Sequence, residues 1–193
     1  MRLVIAALLM IAIGPVSAVA GGDWATAWNS AMDGAATAWP AGADPEQAKK
    51  LYHEALDVVG RHGPGTLRHA RTLDELAYLC LMEGSLDEAE PLYLASIPML
   101  EKLLGRDQPR VATSLHNLGA LYLQAGRDAD AEPRIREALR IWTASFGPEH
   151  PDTARANRSL SVLMRRRGRH DEADRLERLA GRFLTAPEEQ PGR

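Results

Sequence analysis

The sequence predicts an all-α protein built from antiparallel helix pairs stacked one on the next. Its composition favours residues that enter helices at little cost, and aromatic residues make up only 5% of the chain. No segment alternates apolar and polar residues as a half-buried strand would. Short blocks of sequence also recur every 42 residues. A period of this length is typical of repeat architectures, in which each unit packs against its neighbours.

The first element, residues 1–20, has the layout of a secretory signal. Arg2 supplies a positive charge, residues 3–13 form an unbroken apolar run, and small residues flank Val19. This pattern predicts cleavage before Gly21, with a second possible cut after Ala18. The apolar run is about half of the roughly 20 residues that a spanning helix needs. We therefore expect an exported protein with no stable membrane span after cleavage, in a bacterial periplasm or outside the cell.

Residues 21–65 are predicted to form a divergent N-terminal helix pair that caps the stack. Terminal repeats are expected to be atypical because one of their faces has no neighbouring repeat. The segment 44–63 has helical apolar spacing, and the segment 23–39 is built around three tryptophans. These tryptophans either form the capping core or provide a surface for self-association: Trp24, Trp28 and Trp39.

Three repeats follow, at about 67–108, 109–150 and 151–184, and residues 185–193 are predicted to be a flexible tail. In the second repeat, helix A is expected from Pro109 to about Ala125 and helix B from about Asp128 to Phe146. Proline suits the first turn of a helix, and a glycine such as Gly126 suits the position just after its end. Residues of the same type recur at the 42-residue step in all three copies: Gly84, Gly126 and Gly168; Leu76, Leu118 and Leu160; Ala89, Ala131 and Ala173.

The blocks at 104–112 (LGRDQPRVA), 146–154 (FGPEHPDTA) and 114–122 (SLHNLGALY) resemble the repeats of kinesin light chain-type tetratricopeptide proteins. The resemblance covers about residues 67–181. It implies a tetratricopeptide-like right-handed superhelical solenoid, in which the usual 34-residue helix pair is lengthened to 42. It also implies a non-catalytic adaptor or assembly factor that binds a protein or peptide in the concave groove lined by the A helices.

Candidate partner-binding residues are the helix A positions that share this groove face, since residues three and four apart lie on one side of a helix. The resemblance implies that Asn117 holds a peptide backbone through an amide that both donates and accepts hydrogen bonds. The other interpretation is an ordinary polar residue facing water. The six candidates are Asp74, Tyr78, His116, Asn117, Arg155 and Arg158.

The groove face changes from mixed and acidic in the first repeat to strongly basic in the third. Arginines such as Arg155 and Arg158 indicate an anionic partner, because guanidinium groups bind carboxylates and phosphates in pairs of hydrogen bonds. The alternative is a solvated end face. Asp74 and Glu75 stand where a clamp for a C-terminal carboxylate would need cations, which argues against such a clamp.

The sequence lacks motifs for catalysis, cofactors or metals. There is no phosphate-binding glycine loop and no zinc-protease helix motif, and no two histidines lie four apart. A formal charge of -3 does not favour nucleic acid. We expect no enzyme, cofactor or metal, and we expect Cys80 to be buried rather than reactive. The alternative function is a self-associating structural protein of the cell envelope, and therefore a homo-oligomer.

Overall fold

The computed structural model describes residues 23–39 and 44–181, so the predicted signal and tail lie outside the described residues. Within these ranges the chain forms helices only, in four consecutive antiparallel pairs that stack in chain order, which confirms the all-α solenoid. The second helix of each pair packs on the first helix of the next pair. The helices are α1 (Trp24–Ala38), α2 (Pro45–His62), α3 (Leu67–Met82), α4 (Leu86–Leu104), α5 (Pro109–Gln124), α6 (Asp128–Phe146), α7 (Pro151–Arg166) and α8 (His170–Gly181).

Each A helix of the three regular repeats ends at a glycine with a left-handed backbone. The φ angles are 79° at Gly84, 72° at Gly126 and 71° at Gly168. The residue after each glycine donates its backbone N–H to the carbonyl five residues earlier, at 2.8, 2.8 and 2.9 Å. This bond satisfies a carbonyl that the helix end would leave unpaired. The repeated glycine therefore turns the chain from helix A into helix B.

The two helices of a pair come closest where small residues face each other. A Cβ atom added to Gly119 in α5 would lie 2.5 Å from Ile135 Cγ1 and 3.4 Å from the carbonyl oxygen of Ala131 in α6. The same position is occupied by Ala77 in the first repeat and by Ser161 in the third, and both are buried. The helices α5 and α6 therefore approach closely beside Ala131, and the small residues of the two helices permit it.

The N-terminal pair caps the stack with its tryptophans packed inward. The indole Nε1 of Trp28 donates a hydrogen bond of 2.8 Å to Thr72 Oγ1 in α3. Trp24 stacks on His62. The guanidinium carbon of Arg68 lies 5.4 Å from the ring centre of Trp24 and 5.3 Å from that of Trp28. Trp28 is only 6% exposed. The interpretation of these tryptophans as a self-association surface is therefore wrong for Trp28, which belongs to the capping core.

Cys80 is buried inside the first regular repeat. Burial raises the pKa of its thiol, so the nucleophilic thiolate is disfavoured. This agrees with the prediction of a buried structural residue. In the described part of the chain, no helix has the length and apolar character that crossing a membrane requires.

Candidate functional site

A cavity of about 440 Å³ opens where the A helices α3, α5 and α7 lie side by side. These helices line the groove of the solenoid, and the C-terminal part of α6 closes one wall of the cavity. Its lining combines acidic, basic, amide and aromatic side chains: Asp74, Glu75, Tyr78, Pro109, Arg110, Thr113, Asn117, Trp142, Phe146, Asp152 and Arg155.

The structure places four of the six predicted residues in this lining. Asp74 and Tyr78 come from α3, Asn117 from α5 and Arg155 from α7. Arg158 is exposed on α7 but lies outside the cavity lining. Most of the candidates therefore lie together at one place on the groove face.

His116 lies beneath the cavity and is only 5% exposed. Its Nε2 is 3.0 Å from the Oγ atom of Ser159, and its ring is tilted against the indole of Trp142 at 5.4 Å. Burial, together with the nearby Arg155 guanidinium, lowers the pKa of His116 to about 4, so the imidazole is neutral near pH 7. The structure corrects the prediction that His116 is a partner-binding residue: it is buried beneath the groove and packs against Trp142.

Buried polar atoms without a hydrogen-bond partner gather around this cavity. In the described ranges they are Asp74 Oδ1, Tyr93 Oη, Arg110 Nε, His116 Nδ1 and Trp142 Nε1. Asp74, Arg110 and Trp142 line the cavity, and the ring of His116 is tilted against that of Trp142. The Asp74 carboxylate, for its part, raises the pKa of Tyr93. Most buried polar groups in folded proteins have partners. Unused hydrogen-bonding capacity is thus concentrated in one place.

The carboxylates of Asp74 and Glu75 form the acidic wall of the cavity, and their ion pairs with arginines are long. Arg110 Nη2 lies 3.9 Å from Asp74 Oδ2 and 3.7 Å from Glu75 Oε1, and Arg71 Nε lies 3.9 Å from Glu75. All three distances exceed hydrogen-bond length. Burial raises the pKa of Asp74 to about 6, although Ser114 and Arg110 pull it in the opposite direction.

Arg155, on the other side of the cavity, is already engaged. Its Nη2 is 2.9 Å from Asp152 Oδ1 one turn earlier in α7, and its guanidinium lies 5.0 Å from the centre of the Trp142 ring. The planar guanidinium thus pairs with a carboxylate and stacks on an indole at once.

The other arginines near the end of α7 bind the preceding repeat or the next helix. Arg166 Nη1 donates hydrogen bonds to the carbonyl oxygen of Leu123, at 2.8 Å, and to Asp128 Oδ1, at 3.0 Å. Arg167 pairs with Glu132, and Arg165 pairs with Asp174 in α8. Arg158 forms no ion pair with any residue of the described ranges. The basic character of the third repeat is therefore largely used in holding the stack together.

Sequence reasoning missed the cavity residues that lie outside the helix A face. Arg110 and Asp152 lie in the first turns of α5 and α7, whereas Trp142 and Phe146 come from α6. Phe146 is 45% exposed and stacks on the ring of His150 at 4.3 Å. Phe146 directly precedes Gly147 of the linker, and the chain has only two phenylalanines. This position at the end of α6 was the sequence signal that could have identified Phe146.

The tetratricopeptide repeat family model matches residues 70–140 and again residues 110–180. This chain belongs to the tetratricopeptide repeat family. The two matches together span more than half of the chain and contain α4 to α7 in full. Tetratricopeptide repeats are protein–protein interaction modules, so the groove described above belongs to a fold that binds other proteins. A comparison with curated proteins finds no match.

Solved structures of tetratricopeptide repeat proteins share this fold. BtubC (BKLC) from P. vanneervenii superposes with a TM-score of 0.77 at 20% identity, covering 92% of this chain and 72% of that one. Two crystal structures of a Podosopora anserina kinesin light chain with nearly identical TPR-like repeats give TM-scores of 0.70 and 0.67 at 18% identity, covering 84% of this chain and 77% of theirs. At this identity the likeness shows the fold alone.

Proposed function

We propose that this tetratricopeptide repeat chain is a non-catalytic module that holds an extended segment of a partner protein, or a peptide, in the groove of α3, α5 and α7. Its role is that of an adaptor or assembly factor. One observation carries the proposal: the unpartnered buried polar atoms of the described chain gather around one open cavity on the groove face. A bound chain, rich in backbone donors and acceptors, can hydrogen-bond to the polar side chains that line this cavity.

Recognition combines one amide with aromatic walls. Asn117 is only 9% exposed, but it lines the cavity between the acidic and the basic helix. A primary amide donates and accepts at once, which suits the N–H and C=O groups of an extended backbone. Tyr78 and Phe146 present partly exposed rings to the same space. Because the groove is preformed on rigid helices, little ordering cost opposes binding.

The proposed partner is met outside the cytoplasm. The charged, apolar and small-residue regions within residues 1–20 support export to a bacterial periplasm or to the exterior, with release before Gly21. Mass spectrometry of the chain purified from its source tests this. A mature N-terminus at Gly21 is expected, or at Val19 if the second cut is used, and an intact Met1 or Arg2 would contradict export by this route.

Capture of partners tests the groove. The unsubstituted chain, a Tyr78→Ala, Asn117→Ala double variant and an Arg158→Glu variant are used as bait for an envelope extract of the source organism. Arg158 is the matched control, since it is on the same face but outside the cavity. A protein retained by the first and third baits and lost from the second supports the groove. Equal retention by all three, with helicity unchanged in circular dichroism, contradicts it.

Self-association as a structural protein of the cell envelope is the second candidate. Exposed leucines on the outer helix α4 favour it, because Leu94 is 48% and Leu103 43% exposed. Light scattering of the purified chain and of a Leu94→Gln, Leu103→Gln variant tests it. A dimer or larger species that the double substitution dissociates is expected under this candidate. A monomer for both chains at high concentration would leave groove binding as the function.

A further inference from the structure

The charged groups of the cavity do not balance. Three acidic residues line it, Asp74, Glu75 and Asp152, against two arginines, Arg110 and Arg155. The pair between Asp152 and Arg155 is a short one at 2.9 Å. The other charged residues of the lining are the two carboxylates of α3, Asp74 and Glu75, and the guanidinium of Arg110. Within the cavity lining, the acidic wall therefore has two carboxylates for one guanidinium.

Arg110 does not satisfy both carboxylates. Its Nη2 atom lies 3.9 Å from Asp74 and 3.7 Å from Glu75, while its Nε has no hydrogen-bond partner among the described residues. Arg71 contacts only Glu75, at 3.9 Å, and lies outside the lining of this cavity. Asp74 is 7% exposed, and its Oδ1 accepts no hydrogen bond. A buried carboxylate whose nearest cation lies beyond hydrogen-bond distance is costly unless a further group completes it.

The space beside this carboxylate suits a long side chain. Tyr78 belongs to α3 and is 38% exposed, while Phe146 and Trp142 form the wall contributed by α6. Aromatic faces pack against the methylene stem of lysine or arginine and attract the charged end. The fold already uses this contact, since guanidinium groups lie 4.3 Å from the Tyr122 ring centre and 5.0 Å from that of Trp142.

We propose that the cavity receives a cationic side chain, lysine or arginine, from the partner segment, seated against the carboxylates of Asp74 and Glu75 and flanked by Tyr78. This rests on the proposed function and specifies the chemistry of its ligand. It reverses the expectation of an anionic partner at this cavity, because Arg155 is paired with Asp152. Arg158, the other arginine behind that expectation, is exposed but lies outside the cavity lining.

A pH dependence accompanies this arrangement. The groups that face Asp74 are Glu75 on its own helix, Tyr93 on α4, and Arg110 on α5. Burial keeps the carboxyl of Asp74 partly protonated near pH 6, and only the ionised form attracts a cation strongly. Binding of a cationic segment is therefore expected to strengthen as the pH rises from 5 to 7.

Selection from random twelve-residue peptides displayed on phage tests the proposal. Peptides are selected on the purified protein, and those that also bind an Asn117→Ala variant are discarded. The strongest remaining peptide is synthesised and titrated by fluorescence anisotropy against the protein and its Asp74→Asn, Glu75→Gln and Glu54→Gln variants. Glu54 lies in α2, away from the cavity, and serves as the matched control.

The expected result is a set of peptides that share a lysine or arginine. Replacing that residue by glutamine weakens binding about tenfold to the unsubstituted protein but less than about twofold to the Asp74→Asn variant, the mark of a direct pairing. The Glu54→Gln variant binds like the parent. Circular dichroism confirms that each variant is folded.

Two outcomes overturn the proposal in different ways. Selected peptides that carry aspartate or glutamate without a shared cation, or a cation whose removal weakens binding equally to both proteins, would contradict the cationic ligand and leave groove binding intact. Failure to select any peptide that depends on Asn117 would contradict the proposed function together with this inference.

Discussion

The two charged sides of the groove differ in how their charges are met. On α3, the carboxylates of Asp74 and Glu75 have their nearest cation, Arg110, at 3.9 and 3.7 Å. On α7, Arg155 and Arg166 bind carboxylates at 2.9 and 3.0 Å. Both sides read as charged helix faces in the sequence. Within the cavity lining, the carboxylates of α3 have no cation at hydrogen-bond distance among the described residues, whereas Arg155 of α7 does have a carboxylate at that distance. Whether a charged side chain can bind a ligand therefore depends on its partners in the neighbouring helices as well as on its charge.

The difference follows from where the helices end. Arg166 lies in the last turn of α7 and reaches back to the last turn of α5, where the carbonyl of Leu123 accepts its hydrogen bond. Carbonyls at a helix C-terminus lack intrahelical partners and attract cations. Asp74 lies in the middle of α3 instead, and the cation that pairs with it in the described part of the chain comes from the first turn of α5.

The largest expected effect comes from removing the buried charge of the acidic side. Burial raises the pKa of Asp74 to about 6, above its unfolded value, so folding stability falls as the pH rises through about 4 to 6. Asparagine does not ionise, so the Asp74→Asn variant does not lose stability in this way as the pH rises. We expect its free energy of unfolding at pH 7 to exceed that of the parent by roughly 2–3 kcal/mol. Urea unfolding at pH 4 and pH 7 measures this. A variant less stable than the parent at pH 7 would contradict it.

The same variant is expected to uncover an opposite pH effect from His116. Its pKa is lowered to about 4, so the stability contributed by the neutral imidazole is present above about pH 6.5 and is lost as the pH falls towards 4. In the parent chain the contributions of His116 and Asp74 oppose each other across this window. Stability of Asp74→Asn should therefore rise by roughly 2 kcal/mol from pH 4 to 6.5. A His116→Gln substitution added to it should remove the rise.

Moving α5 should disturb both sides of the groove together, since it lies between α3 and α7. Gly119→Ala places a methyl group 2.5 Å from Ile135 Cγ1, and Ala131→Leu overfills the same contact from α6. Each is expected to lower the free energy of unfolding by roughly 1–3 kcal/mol. Gly60→Ala is the control, because nothing lies within 4 Å of its Cβ, and it should stabilise α2 by roughly 0.5–1 kcal/mol. Equal effects of Gly60→Ala and Gly119→Ala on the melting temperature would contradict the close packing.

The smallest effects are expected on the basic side. Arg166→Ala should lower stability by roughly 1 kcal/mol, since this half-exposed side chain binds both a carbonyl and a carboxylate across the repeat boundary. Arg158→Ala should change it by less than about 0.5 kcal/mol. Thermal unfolding at low and high salt separates them, because the ion-pair part of the Arg166 effect is screened by salt. A loss of stability in Arg158→Ala as large as that in Arg166→Ala would contradict the expected difference between these two arginines.

Local signals explain what the sequence could predict. Pro109, at the first turn of α5, and Gly126, just after its end, act within a few residues, so the helix bounds were predictable from the chain alone. Helical spacing likewise placed Tyr78 and Asn117 in one groove. The burial of His116 and the engagement of Arg166 depend on residues about 40 positions away, in the neighbouring repeat. Spacing along one helix contains no information about such partners.

The acidic wall of the groove is tested most directly by the pKa of Asp74 itself. The carboxyl carbon of Asp74, assigned by comparison with Asp74→Asn, is followed by NMR from pH 3 to 8 with and without the selected cationic peptide. We expect a pKa near 6 for Asp74 in the free chain and a fall of at least about one unit when the peptide is bound. A free value near 4, or no change on binding, would show that this carboxylate is already satisfied and would contradict the account.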